Sequence, residues 1–109
     1  MHHIEIKDKT ILITGISGFI GANLASRLLD TKSKVHVIGI DNLNDYYDVS
    51  IKLYRLSQIE KIAEKCKDSA WMFIKGNIAD RSVIDNIFKN YHPDIVVNLA
   101  AQAGVRYSI

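Results

Sequence analysis

The sequence predicts an α/β fold: a partial Rossmann fold, with a parallel sheet of about four strands and helices on both faces. Short apolar runs alternate with segments in which apolar residues recur at helical spacing, in the order β-α-β-α-β-α-β. The strand-like runs are apolar on both faces, which is typical of a parallel sheet covered on both sides. No repeat or linker interrupts the 109 residues, which indicates one domain at most.

The first two predicted strands flank one helix. Residues 10–14 form a short apolar strand, and a helix follows from residue 19 to about residue 31. Its predicted buried face consists of Ile20, Leu24, Ala25, Leu28 and Leu29. The β-branched run "KVHVIGI", residues 34–40, predicts the second strand, which ends at Asp41.

The second half repeats this alternation. A polar loop, "DNLNDYYDVS", is followed by a helix to about residue 67, whose predicted face consists of Leu53, Leu56, Ile59, Ile62, Ala63 and Cys66. "WMFIKG" predicts the third strand, and Asp80 is the predicted N-cap of a third helix. Four apolar residues of that helix follow the i, i+3, i+4, i+7 pattern: Ile84, Ile87, Phe88 and Tyr91. Pro93 ends it, and "DIVVNLAA" predicts the fourth strand.

Composition excludes several classes of function. A net charge of +2 with scattered lysines and arginines argues against a nucleic-acid partner. The single cysteine, Cys66, excludes an internal disulfide and a cysteine-built metal site, and we expect no metal. No apolar run approaches the ~18 residues that span a bilayer, and the polar start "MHHIEIKDKT" lacks a signal-peptide core. We therefore expect a cytoplasmic protein that has no membrane partner.

Three glycines stand where the first strand becomes the first helix. Gly15 can make the tight turn, Gly18 can let the backbone approach a phosphate, and Gly21 can let the helix pack on the strand. The amides of the first helical turn, at Phe19 and Ile20, would then face a pyrophosphate at the positive end of the helix dipole. The alternative is an incidental glycine-rich turn. No Lys-Ser/Thr pair follows, so a nucleoside-triphosphate P-loop is not predicted.

Asp41 follows the second strand, 20 residues after Gly21. At this position an acidic side chain accepts hydrogen bonds from the adenosine ribose of NAD, and it repels the 2′-phosphate of NADP. Its sequence neighbours Ile40 and Asn42 are uncharged. The sequence therefore predicts NAD as the cofactor in preference to NADP, the alternative being an ordinary aspartate at the start of a loop.

The carboxyl ends of the third and fourth strands complete the predicted site. Asn77 and Ile78 are placed to meet the adenine edge, and small residues after the fourth strand would leave space for a flat cofactor or would serve helix packing instead. The predicted cofactor-binding residues are Gly15, Gly18, Phe19, Ile20, Gly21, Asp41, Asn42, Asn44, Asn77, Ile78, Leu99, Ala100 and Ala101.

Four segments, "TGISGFIG", "DNLNDYYD", "KGNIAD" and "NLAAQAGVRYS", together resemble the extended short-chain dehydrogenase/reductases, the NAD-dependent epimerase/dehydratase family. The second and fourth segments are most similar to the UDP-glucuronate 4-epimerases of capsule and cell-surface polysaccharide synthesis. The resemblance implies that bound NAD removes a hydride from C4 of the sugar, the 4-keto intermediate turns over, and the hydride returns to the other face. The expected partner is a nucleotide sugar of the UDP-glucuronate class.

The resemblance also implies where substrate and catalytic groups lie. It places Gln102, Arg106, Tyr107 and Ser108 near the sugar, with Arg106 facing the glucuronate carboxylate or, alternatively, solvent. The resemblance implies that the family's catalytic Ser/Thr and Tyr-x-x-x-Lys pair would lie beyond Ile109. No tyrosine in the sequence is followed four residues later by lysine. We therefore expect residues 1–109 to be the N-terminal part of an NAD-binding domain, truncated before the catalytic residues and inactive alone. Asn77 departs from the family's usual aspartate, which would weaken adenine recognition.

Two other functions fit the same residues. A nucleotide-sugar 4,6-dehydratase or decarboxylase shares the glycine motif, and a non-catalytic NAD-binding module would need no catalytic residues. A sheet that stops at the fourth strand also leaves an open edge and apolar surface, so we expect self-association of the 109-residue chain.

Overall fold

The computed structural model describes residues 7–30, 34–43, 49–66 and 68–99. Seven elements alternate along the chain: β1 (Lys9–Thr14), α1 (Phe19–Leu29), β2 (Val35–Asp41), α2 (Val49–Lys65), β3 (Ala70–Lys75), α3 (Arg81–Tyr91) and β4 (Ile95–Asn98). All strand pairs are parallel, in the spatial order β3-β2-β1-β4. The predicted α/β class and four-stranded parallel sheet are therefore confirmed.

β1 is a central strand that pairs with β2 on one side and with β4 on the other. At its carboxyl end, Thr14 is aligned with Ile40 of β2 and with Asn98 of β4. The strand order reverses between β1 and β4, and crevices for ligands form at such reversal points, outside the carboxyl ends of the strands. The turn that leaves β1 is therefore placed at the edge where a ligand is expected.

Helices cover both faces of the sheet. Buried side chains of β1 alternate: Ile11 and Ile13 pack with residues of α1 and α2, whereas Leu12 packs with Ile87 of α3. The first group also includes Ala25 and Leu29 of α1 and Leu56 and Ile59 of α2. A strand buried on both faces reads as a continuous apolar run, which explains the "ILI" of β1.

The predicted face of α2 is wrong at one position. Leu53 is 51% exposed, and Lys52 is buried instead, with 8% of its surface accessible. Lys52, Leu56 and Ile59 are spaced i, i+4, i+7, so they form one stripe, and Leu53 lies beside it. The helix also begins at Val49, so the last two residues of the predicted polar loop belong to its first turn.

The predicted faces of α1 and α3 are also too wide. In α1 the buried residues include Ala22, Ala25 and Leu29, whereas Ile20 is 66% exposed at the helix start. In α3 only Ile87 is fully buried, and Phe88 and Tyr91 are exposed. Among the described residues the helix packs on the sheet through one narrow stripe, which holds Ile87 against Leu12 and its neighbours.

The ends of α3 are capped as its sequence predicts. The Asp80 carboxylate accepts hydrogen bonds from the Ser82 amide at 3.1 Å and the Ser82 hydroxyl at 2.7 Å. These bonds, the side-chain one first, hold the pKa of Asp80 below its usual value. At the other end His92 adopts a left-handed conformation, φ 47°, and its amide donates to the Phe88 carbonyl. Pro93 follows, and the chain turns into β4.

Candidate functional site

The turn between β1 and α1 is closed by its own backbone. The amides of Gly15 and Ile16 both donate to the Ile40 carbonyl, at 3.0 and 3.3 Å, and the Gly18 amide donates to the Gly15 carbonyl at 3.1 Å. Gly15 has φ 68°, in the left-handed region that favours glycine. This agrees with its predicted role in the tight turn.

The other two glycines differ in what the fold demands. A Cβ at Gly21 would lie 2.5 Å from the Gly15 carbonyl oxygen and 3.1 Å from the Ile16 Cα, so only glycine lets α1 pack against the turn. A Cβ at Gly18 would meet only the Gly15 oxygen, at 3.3 Å, and its backbone, φ −71°, suits any residue. The packing of the chain therefore demands glycine far more strictly at position 21 than at position 18.

The first turn of α1 presents three backbone donors. Gly18 is the N-cap and offers no side chain, and the first amide bonded along the helix is that of Ala22, which donates to the Gly18 carbonyl. No described residue accepts from the amides of Phe19, Ile20 or Gly21. Three such donors at the positive end of a helix suit a phosphate group, so the residues present fit a pyrophosphate.

Ser17 lies within this turn and is fully buried. Its amide and hydroxyl donate to the same carboxylate oxygen of Asp41, Oδ2, at 3.2 and 2.5 Å. Its carbonyl accepts from Arg55 Nη1 of α2 at 3.1 Å, and the Arg55 guanidinium lies 5.8 Å from the centre of the Phe19 ring. All three polar groups of Ser17 are therefore held by other parts of the chain.

Asp41 is at the end of β2, beside the turn, and its side chain is mostly buried. Its second oxygen, Oδ1, accepts from the Leu43 amide at 2.8 Å and lies 3.9 Å from Nζ of Lys52. Leu43 has φ 54°, a conformation uncommon for a bulky residue. The sequence neighbours of Asp41 are uncharged, but the fold brings in a lysine from α2.

Three other predicted residues lie at the same edge of the sheet. Asn77 is exposed, and its side-chain oxygen, which was expected to meet adenine, accepts from the Ala79 amide at 2.9 Å. Ile78 is half-buried and packs beside Ile38, Ile40 and Ile87. Asn42 is exposed, between Asp41 and Leu43.

The ends of β1 and β4 are tied together at the strand reversal. The Thr14 hydroxyl donates to the Asn98 side-chain oxygen at 2.5 Å and accepts from the Leu99 amide at 2.9 Å. The Leu99 amide also lies 3.2 Å from the Thr14 carbonyl. Leu99, a predicted cofactor-binding residue, is therefore fixed beside the turn that leaves β1.

Four residues of this region were not predicted from the sequence: Thr14, Ser17, Lys52 and Arg55. Lys52 had a visible signal, because a lysine at a core position of an amphipathic helix requires a partner. The remaining predicted residues lie outside the described ranges, and their roles stay predictions: Asn44, Ala100, Ala101, Gln102, Arg106, Tyr107 and Ser108.

Within residues 7–30, 34–43, 49–66 and 68–99, no cluster of histidine, cysteine, aspartate or glutamate could hold a metal ion. In the same ranges no helix is both long and apolar enough to cross a membrane.

Comparison with known proteins identifies the family. A sequence model described as GDP-mannose 4,6-dehydratase matches residues 12–109. The chain belongs to this family. Membership confirms the resemblance to the epimerase/dehydratase family of nucleotide-sugar enzymes.

Relatives within and around this dehydratase family include epimerases. The protein CapI of Staphylococcus aureus is 46% identical over 99 residues, which are 91% of this chain and 27% of CapI. A UDP-glucuronate 4-epimerase of Thermodesulfobacterium geofontis is 41% identical over 98 residues, which are 90% of this chain and 28% of that enzyme. The chain therefore spans less than a third of the length of either relative.

A solved structure shares the fold at detectable sequence identity. The UDP-glucose 4-epimerase of Thermotoga maritima, crystallised with UDP-glucose, superimposes with a TM-score of 0.58 and 28% identity. The match covers 86% of this chain and 25% of that structure. The parallel sheet with helices on both faces is thus the arrangement found in a nucleotide-sugar epimerase.

Proposed function

We propose that the chain is the N-terminal, NAD-binding part of a nucleotide-sugar 4-epimerase that interconverts UDP-glucuronate and UDP-galacturonate. The observation that carries the cofactor part is the set of three donors, the amides of Phe19, Ile20 and Gly21, at the end of β1. The names of the T. geofontis and T. maritima relatives support the reaction. When bound, the nicotinamide supplies an acceptor and donor of hydride at C4 of the sugar.

The residues of the turn bind the pyrophosphate. The first-turn amides donate to its oxygens, and Gly18 lets the phosphate approach them because it has no side chain. The packing of the chain itself makes little demand for glycine at position 18. The approach of the phosphate explains a glycine that packing alone does not. Gly15 and Gly21 contribute indirectly, by allowing the turn and by seating α1 against it.

Asp41 binds the adenosine ribose and favours NAD over NADP. Its oxygens already accept from Ser17 and Leu43, so a ribose hydroxyl shares an oxygen with one of these donors or displaces it. Ile78 and Asn77 flank adenine. Asn77 contacts it through a group other than its side-chain oxygen, because that oxygen already accepts from the Ala79 amide.

The substrate and the catalytic residues complete the proposal. Leu99, Ala100 and Ala101 form the wall beside the nicotinamide, and Arg106 of the set Gln102, Arg106, Tyr107 and Ser108 pairs with the glucuronate carboxylate. The proton-transferring Tyr-x-x-x-Lys does not occur in residues 1–109, so this segment alone does not catalyse the reaction. Its open sheet edge and uncovered apolar surface favour self-association. Cytoplasmic polysaccharide synthesis is the setting that this activity suggests.

The test uses the full-length protein, freed of bound dinucleotide. We expect tight NAD binding by calorimetry, weaker NADP binding, and conversion of UDP-glucuronate to its C4 epimer on reconstitution with NAD. Arg106→Met is expected to raise KM for UDP-glucuronate far more than for a neutral UDP-hexose. Equal affinity for NAD and NADP would contradict the role of Asp41, and absence of the epimer would contradict the reaction.

A second candidate is a nucleotide-sugar 4,6-dehydratase, which the description of the matching family favours. The same full-length protein distinguishes the two reactions. A dehydratase converts a GDP- or UDP-hexose to a 4-keto-6-deoxy product and loses water, whereas the epimerase returns an intact sugar of unchanged mass. Mass spectrometry of the products from UDP-glucuronate, UDP-glucose and GDP-mannose therefore decides between them.

A further inference from the structure

The buried residue Ser17 is the point at which α2 reaches the glycine turn. The Asp41 carboxylate accepts hydrogen bonds from the Ser17 amide and hydroxyl, and Arg55 donates to the Ser17 carbonyl at 3.1 Å. The partners come from β2 and α2, 24 and 38 residues further along the chain. Ser17 precedes the N-cap Gly18 by one residue, so its orientation sets where α1 starts.

The Ser17 carbonyl has a particular meaning for the helix. In an α-helix the amide of residue i donates to the carbonyl of residue i−4, so the Ser17 carbonyl would accept from the Gly21 amide if α1 began one residue earlier than it does. Arg55 holds this carbonyl toward α2. Because the extended residue Gly18 is the N-cap, Gly21 is the third residue of α1, and its amide has no acceptor among the described residues. The bond from Arg55 occupies the Ser17 carbonyl, so a start of the helix one residue earlier, which would close off the Gly21 amide, is disfavoured.

Two contacts fix the Arg55 guanidinium beside Ser17. One nitrogen donates to Ser17, and the planar group lies 5.8 Å from the centre of the Phe19 ring, within the range of a cation–π contact. Arg55 is itself half-buried, between α1 and α2. A lysine ammonium lacks the planar group that stacks on a ring while one nitrogen donates elsewhere.

We propose that Arg55 is a positioning residue for the pyrophosphate site. It touches no part of the dinucleotide; it fixes the Ser17 carbonyl so that α1 starts after Gly18, which leaves the Gly21 amide available to the phosphate oxygens beside those of Phe19 and Ile20. This inference rests on the proposed function, that the glycine turn binds a dinucleotide. It adds a second residue of α2, after Lys52, to the surroundings of the proposed dinucleotide site.

The test compares three variants of the full-length protein: Arg55→Met, Arg55→Lys and the control Lys61→Met. Lys61→Met removes one cation from an exposed position of the same helix. The first measurement is the amide NMR shift of Gly18 and Gly21 in ¹⁵N-glycine-labelled protein without ligand. We expect both resonances to move in Arg55→Met, less in Arg55→Lys, and not in Lys61→Met.

The second measurement is the Kd for NAD and for adenosine, which has no phosphate. We expect Arg55→Met to raise the Kd for NAD about tenfold or more, as for a lost charge-assisted hydrogen bond, and that for adenosine less than about twofold. Arg55→Lys should lie between wild type and Arg55→Met. Equal losses for NAD and adenosine would show general damage to the fold and would overturn the proposal.

The two measurements separate this inference from the proposed function. If the Gly18 and Gly21 resonances do not move without ligand while NAD binding weakens, Arg55 contacts the dinucleotide directly and the positioning role is wrong. If the wild-type protein does not bind NAD at all, the proposed function fails. The ligand-free spectra then still report whether Arg55 orients the turn.

Discussion

Ser17 and Asp41 are joined by two hydrogen bonds that end on one carboxylate oxygen, from the Ser17 amide at 3.2 Å and from its hydroxyl at 2.5 Å. The pair ties the turn after β1 to the end of β2. Asp41 therefore has a structural duty in addition to the proposed contact with the ribose. Substitutions at the two positions can separate these duties.

We predict that Asp41→Ala narrows the preference for NAD over NADP by ~1–3 kcal/mol, because charge-assisted bonds and repulsion of the 2′-phosphate are lost together. It should also lower the free energy of unfolding, since the buried Ser17 amide loses its acceptor. Ser17→Ala should lower the free energy of unfolding by about 1 kcal/mol and leave the cofactor preference unchanged. Calorimetry and urea unfolding measure the two effects, and a changed preference in Ser17→Ala would count against this division.

Lys52 should weaken the discrimination that Asp41 provides. Its ammonium lies 3.9 Å from Asp41 Oδ1 and offsets part of the repulsion felt by a 2′-phosphate. Lys52→Met is therefore expected to widen the NAD preference, by up to about tenfold in the ratio of the two Kd values. The exposed Lys61→Met serves as the control for loss of a cation. An unchanged or narrowed ratio in Lys52→Met would mean that the lysine does not act on the ribose site.

The glycines at positions 18 and 21 should fail in different ways. Gly21→Ala places a Cβ 2.5 Å from a backbone oxygen, so we expect a loss of about 1–3 kcal/mol in the free energy of unfolding. Gly18→Ala meets one atom at 3.3 Å and should change stability little, but it should weaken NAD binding. Unfolding curves and NAD titrations of both variants test this contrast. If the two substitutions lowered the free energy of unfolding equally, the contrast would be wrong.

His92 stands at a left-handed helix end that glycine adopts without strain. His92→Gly should raise the free energy of unfolding by about 0.5–1 kcal/mol, because the capping bond from its amide to Phe88 needs no side chain. Asn90→Gly, two residues earlier in the last turn of α3, should lower the free energy of unfolding, because glycine is a poor helix former. Thermal unfolding of the two variants checks this, and a loss of stability in both would show that the His92 side chain contributes.

Asp80 should make α3 sensitive to acid. Its pKa is held low in the folded chain by the bonds from Ser82, so its contribution to stability is present above the unfolded pKa, near pH 4. That contribution is lost as the pH falls through the lower folded pKa. Asp80→Asn keeps an N-cap acceptor but does not titrate, so its melting temperature should fall less steeply below pH 4 than that of the wild type. If the melting temperatures of the wild type and of Asp80→Asn fell equally steeply below pH 4, Asp80 would be excluded as a source of the acid sensitivity.

The fold was predictable because its signals are local. The apolar runs of β1 and β2, the glycines between β1 and α1, and the Asp80 cap each depend on residues a few positions apart. The contacts of Ser17 are different, because its partners Asp41 of β2 and Arg55 of α2 lie 24 and 38 residues further along the chain. They depend, as does the approach of Lys52 to Asp41, on how β2 and α2 pack beside the turn. Exposure was underestimated for Leu53 of α2 and for Ile20 of α1, since a helical pattern gives the direction of a buried face and not its width.

The parallel register has a thermodynamic consequence. The carboxyl ends that surround the glycine turn belong to strands whose aligned residues, such as Thr14 and Asn98, are 84 positions apart, so the dinucleotide meets a complete set of contacts only after the sheet has assembled. A ligand with no affinity for the unfolded chain then shifts the folding equilibrium as a whole, by about 2.7 kcal/mol at a hundredfold excess over its Kd. The concentration of free dinucleotide in the cell would thus help to set how much of this protein escapes proteolysis.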